Sequence, residues 1–160
     1  MSTLTLVHVI LSLLGIFSGL VVLFALLTGK LLARWNALFL VTTVATNVTG
    51  FFFPFHKVTP GIVVGVLSLI ALAIAIAALN VFHLAGGWRK TFVITAMIAL
   101  YFNVFVLIVQ LFEKVPGLRA LAPTQSEPPF KIAQACNLAV FGILTVMATM
   151  RFGRPRIRLD

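Results

Sequence analysis

The chain has 160 residues, 61% of them apolar and 9% charged, with a mean hydropathy of +1.16. A soluble domain is nearer half apolar and a quarter charged, and so few charges could not cover the surface of so small a chain in water. Composition therefore excludes a soluble globular domain. It also turns the formal charge of +9 from a nucleic-acid signal into a topology signal, because the basic residues fall between and after apolar runs.

The opening run, MSTLTLVHVILSLLGIFSGLVVLFALLTGK, has no basic residue ahead of its apolar stretch and is too long for a cleaved leader. It predicts a retained first span over about 4–28, since a bilayer needs roughly 20 apolar residues. His8, Ser12, Gly15 and Gly19 recur at helical spacing and form one stripe. Gly15 and Gly19 make a GxxxG pair, as do Gly61 and Gly65 later, and such pairs let helix backbones approach closely.

The second span, about 36–55, places Thr43, Asn47, Gly50 and Pro54 on one face. It runs into FFFPFHKVTP, which sets His56 and Lys57 at the rim. The third span, about 60–84, opens on Pro60, suited to a first helical turn, and should stop at Gly86-Gly87. The fourth, about 91–112, aligns Asn103, Gln110 and Glu113 at steps of seven and three.

The loop 113–130 follows, with VPGLRALAPTQSEPPF as its body. Its prolines forbid a continuous helix. It reads as a compact cap with Leu118 and Leu121 resting on the bundle rim and with Arg119, Gln125 and Glu127 as polar groups. The fifth span, about 131–150, carries Gln134 and Asn137 one turn apart, and a basic tail, 151–160, ends the chain.

The expected fold is thus an all-α integral membrane protein, a single domain of five transmembrane helices. Lys30, Arg34, Arg89, Lys90, Arg151, Arg154, Arg156 and Arg158 fall on one side; Lys57, Lys114, Arg119 and Lys131 fall on the other. The positive-inside rule makes the first side cytoplasmic. The N-terminus is then outside, the C-terminus cytoplasmic and the cap outside, and the expected location is a bacterial-type inner membrane. Cys136 is the single cysteine, which excludes an internal disulfide relay.

Polar side chains within a span usually face the bundle interior. Most fall in the outer half: His8, Ser12, Asn47, His56, Asn103, Gln110, Glu113, Gln134 and Asn137. Asn80 and His83 fall in the inner half. This asymmetry predicts an outward-facing polar pocket under the cap, with those nine residues as its lining. Packing by interhelical hydrogen bonds, worth roughly 0.6 kcal/mol each, is the plainer account of the same residues.

Three chemistries suit such a pocket. His8 and His56 would ligate a haem b, or with Glu113 a divalent metal in a two-histidine, one-carboxylate set. A haem or a redox-active metal would make the chain a membrane redox component. An amphipathic ligand, a quinone or a lipid, would use an apolar slot and a few polar anchors. No catalytic signature such as GxSxG or HExxH is present.

Two other classes remain open. The chain would serve as a structural or assembly subunit that docks partner membrane subunits through the cap, or as a homo-oligomeric transporter or channel. In length and span count it resembles the translocator-protein family of tryptophan-rich membrane sensors. It has only Trp35 and Trp88, both at the inner boundary, so the resemblance implies no site residue.

Overall fold

The computed structural model describes residues 3–53 and 60–153. Six helices run in order: α1 (Thr3–Leu27), α2 (Ala33–Gly50), α3 (Pro60–Asn80), α4 (Trp88–Lys114), α5 (Pro116–Leu121) and α6 (Pro128–Phe152). No strand occurs among the described residues. Four helices are long and apolar enough to cross a membrane: α1, α3 over Gly61–Asn80, α4 and α6. The chain is therefore an all-helical, multi-pass membrane protein. The remaining long helix, α2, is shorter and more polar. It has 18 residues and includes Asn36, Thr42, Thr43, Thr46, Asn47 and Thr49.

Helix α4 is the hub, in contact with α1, α2, α3, α5 and α6. The most extensive pairings are α1 on α2 and α3 on α4. Helices α1 and α2 run antiparallel, with His8 beside Thr49 at one end and Phe17 beside Trp35 toward the other. The glycines of α1 permit this. A Cβ on Gly15 would meet Thr43 Oγ1 at 3.1 Å, and one on Gly19 would meet Leu100 Cδ1 at 2.5 Å and the Phe39 ring at 2.9 Å. Leu23, Leu26, Phe39, Leu72, Phe92, Met97 and Leu100 form the dry core on the side of these contacts away from His8.

Several hydroxyls in the packed region bond to their own helices. Ser18 donates to Leu14 O at 2.6 Å and Thr42 to Leu38 O at 2.7 Å. Such back-bonding satisfies a hydroxyl where no water reaches it.

Helix boundaries differ from expectation by three residues or more at five places. Helix α2 ends at Gly50 and turns through 51–53, short of the expected residue 55. Helix α3 ends at Asn80, not Leu84. Its last turn closes by Phe82 N–H to Ala77 O and Leu84 N–H to Ala78 O, with His83 and Leu84 at positive φ. Gly86 and Gly87 instead form the turn into α4, where Phe82 stacks on Trp88 at 3.7 Å.

Helices α2, α4 and α6 all begin three residues earlier than expected, at Ala33, Trp88 and Pro128. Pro128 and Pro129 open α6 because a first helical turn has no use for their missing N–H groups. The same logic puts Pro116 at the start of α5, a short helix not foreseen in the cap. At the far end Arg89 Nε donates to Phe152 O at 3.0 Å. Its guanidinium lies 4.2 Å from the Phe152 ring centre, tying the start of α4 to the end of α6.

Candidate functional site

A cavity of about 600 Å3 opens between α1, α2, α3 and α4 at the end of the bundle that carries the cap. Six of the nine expected lining residues meet in it: His8 and Ser12 from α1, Asn47 from α2, and Asn103, Gln110 and Glu113 from α4. The rest of the wall is chiefly apolar, with Val9, Leu13, Phe102, Val106 and Leu107 among its residues.

Helical spacing accounts for this convergence. His8 and Ser12 are one turn apart on α1; Asn103 and Gln110 are two turns apart on α4. Gly50 and Gly65 keep the facing surfaces of α2 and α3 low. A Cβ on Gly50 would lie 3.5 Å from His8 Cε1, and one on Gly65 would lie 3.3 Å from Phe51 Cζ.

The polar groups are fixed by neighbours. His8 Nδ1 lies 3.0 Å from Thr49 Oγ1, and its ring packs edge-on against Phe53 at 5.3 Å. Thr49 Oγ1 is also 2.8 Å from Ala45 O and 3.0 Å from Thr46 O. A hydroxyl has one proton. When that proton goes to its own helix, His8 donates from Nδ1 and Nε2 is the acceptor; when it goes to His8, Nδ1 is the acceptor and Nε2 carries the proton.

Asn47 Nδ2 donates to Thr43 O at 2.8 Å and to Ser68 Oγ at 3.1 Å, joining α2 to α3. Asn103 Nδ2 donates to Thr43 Oγ1 at 3.4 Å, joining α4 to α2. Ser68 and Thr46 were missed in the sequence, and Lys114 was read only as an outer-side charge. A lone serine in an apolar run and a lysine at a helix end carry no spacing signal.

Three expected lining residues do not join this group. Gln134 and Asn137 lie on α6, and no α6 residue lines the cavity. The α6 helix packs on α4 and α1, and Gln134 Nε2 donates to Phe105 O across that seam at 3.2 Å. Gln134 Oε1 and Asn137 Nδ2 are buried there without a hydrogen-bond partner among the described residues. His56 lies outside the described residues, as do Pro54 and Lys57. Of the expected metal set, His8 and Glu113 share this cavity. Among the described residues no three His, Cys, Asp or Glu side chains gather.

Above this cavity lies a second, of about 510 Å3, lined by Glu113, Lys114, Arg119, Thr124 and Gln125 with Phe112 and Pro123. Glu113 and Lys114 line both cavities. Gln125 holds the cap down by donating from Nε2 to Val109 O at 3.2 Å, and it does so from a left-handed backbone, φ 56°. That conformation is uncommon for a side-chain-bearing residue and survives where surroundings fix it.

Glu127 lines neither cavity. Its carboxylate accepts from the Thr124 hydroxyl at 2.8 Å, from the Thr124 amide at 3.2 Å and from the Ser126 amide at 3.0 Å. Loss of hydration pushes its pKa up, but these hydrogen bonds outweigh that and hold the carboxyl below its ordinary range. Glu127 therefore organises the cap rather than the pocket. Leu121, expected to rest on the rim, is 57% exposed.

No protein-family model, no curated protein and no solved structure matches the chain.

Proposed function

We propose that this protein binds a small amphipathic organic molecule, of the quinone or lipid class, in the 600 Å3 cavity. The observation that carries this reading is the composition of the wall. Its surface is mostly apolar, with His8, Ser12, Asn47, Asn103 and Gln110 as a small set of polar anchors. Small-molecule sites have this size and this mixture.

The reading includes five spans with the N-terminus and cap outside and the C-terminus cytoplasmic, in a plasma or bacterial inner membrane. Helix α2 is about 27 Å long at 1.5 Å per residue, close to the thickness of a hydrocarbon core. It lies antiparallel beside α1 from Trp35 to Thr49, which supports its crossing alongside α1. The excess of basic residues at the other end supports the orientation.

The test is mass spectrometry of solvent extracts from extensively washed protein, with absorption spectra of the same sample. A stoichiometric amphipathic molecule that is lost in Ser12→Phe, which fills the cavity, would bear the proposal out. An empty wild-type cavity, with stoichiometric partner subunits in a mild-detergent pull-down, would point to an assembly subunit instead.

A further inference from the structure

The two cavities share Glu113 and Lys114, and their walls differ in kind. The lower is chiefly apolar. The upper carries two cations, one carboxylate and two neutral polar side chains. An amphipathic molecule seated in the lower cavity would present its polar end to the upper one.

The hydrogen bonds already made decide what that end must be. The Thr124 hydroxyl gives its proton to Glu127 Oε1 at 2.8 Å, so toward the cavity it can only accept. Gln125 commits one Nε2 proton to Val109 O; its oxygen stays open as an acceptor beside the second Nε2 proton. Glu113 adds a carboxylate, which only accepts when ionised. The Thr124 and Gln125 oxygens and the Glu113 carboxylate together offer acceptors for a donor with positive charge. Lys114 and Arg119 have only protons to donate and ask for an anion such as phosphate. A head group that joins a phosphate to a primary ammonium satisfies both halves.

We propose that the two cavities form one composite site for an aminophospholipid. The acyl portion lies in the lower cavity among Val9, Leu13, Val106 and Leu107. The phosphate lies at Lys114 and Arg119, and the ammonium at Glu113, Thr124 and Gln125. A choline head lacks N–H donors for these acceptors. A glycerol head lacks the positive charge and leaves Glu113 unpaired. This inference rests on the reading of the lower cavity as an amphipathic-ligand site and specifies its ligand.

The experiment reconstitutes the full chain in nanodiscs with equimolar phosphatidylethanolamine, phosphatidylcholine and phosphatidylglycerol of the same acyl composition. The lipids that survive mild delipidation are counted by native mass spectrometry. Ethanolamine-headed lipid should be retained about tenfold over the other two, the ratio one charge-assisted contact gives. Glu113→Gln should abolish its advantage over the glycerol-headed lipid while total retained lipid persists. Arg119→Gln should weaken retention of all three.

Glu113 and Arg119 are exposed, so neither substitution threatens the fold. Retention without head-group preference would overturn the composite site and leave the lower cavity's function standing. So would an ethanolamine preference that survives Glu113→Gln. Absence of any retained lipid or other amphipath would overturn both. Soluble O-phosphoethanolamine supplies the remaining arm: it should displace the lipid poorly. If it binds as tightly as the lipid, the apolar cavity takes no part and the composite site fails.

Discussion

Gly19→Ala and Gly142→Ala make the same chemical change on two helices with opposite surroundings. A Cβ on Gly19 would sit 2.5 Å from Leu100 Cδ1 and 2.9 Å from two carbons of the Phe39 ring. Apolar carbons prefer roughly 3.5–4.0 Å, so about 1 Å must be found at Leu100 and about 0.6 Å at Phe39. Both neighbours are fully buried. The leucine tip can rotate; the phenylalanine ring, wedged between α1 and α2, must move with its helix. Overpacking of this kind costs about 1–3 kcal/mol. A Cβ on Gly142 would meet nothing within 4 Å.

Both substitutions gain the same helix propensity, up to about 1 kcal/mol, so subtracting one result from the other cancels it. Gly19→Ala should therefore be less stable than Gly142→Ala by about 1–3 kcal/mol. That is roughly fivefold to 150-fold in the unfolding equilibrium. Reversible denaturation in mixed micelles, titrated with sodium dodecyl sulfate and followed by circular dichroism, reads the difference. Equal stabilities would mean that α1 does not approach α2 and α4 as closely as described. The shape of the cavity, whose walls those helices supply, would then fall with it.

The cap gives a pH prediction. Glu127 has a folded pKa below its ordinary value, so its contribution is present above the unfolded value of roughly 4.3 and lost as pH falls through the folded one. Hydrogen exchange at the Thr124 and Ser126 amides, corrected for intrinsic rate, should show protection at neutral pH that fades below about pH 4. Glu127→Gln should remove that dependence; a variant with unchanged dependence would assign it elsewhere. Ser68→Ala should cost only about 0.6 kcal/mol, because Asn47 keeps its bond to Thr43 O. A loss several times larger in the same denaturation assay would make Ser68 part of a larger network. In a Cys136→Ser background, Ser126→Cys should react with an impermeant thiol reagent from outside the cell. Reaction from the cytoplasmic side alone would invert the proposed topology.

The sequence made the helical, membrane-bound character legible through its long apolar runs. Helix periodicity together with the charge-derived orientation put His8, Ser12, Asn47, Asn103, Gln110 and Glu113 on inward faces in the outer half of the bundle. It failed at α6 because period and depth say nothing about which neighbour a helix packs against. Gln134 lies at the right depth and bonds across the α4 seam instead. Ends were less legible than faces. The Gly86-Gly87 pair was visible as a stop, but the Asn80–Leu84 turn uses left-handed His83 and Leu84, which carry no such signal. The donor and acceptor pattern of the upper cavity depends on hydrogen bonds made by Thr124 and Gln125 within the cap, and no spacing rule reveals it.

The most direct test of the cavity as a binding site is photo-crosslinking with a diazirine-tagged phospholipid, followed by peptide mapping. The account predicts adducts at Val9, Val106 and Leu107, within the cavity wall, that unlabelled lipid competes away and Ser12→Phe abolishes. Adducts confined to exposed outer-face residues such as Ile143 and Val146 of α6, unchanged by Ser12→Phe, would contradict it.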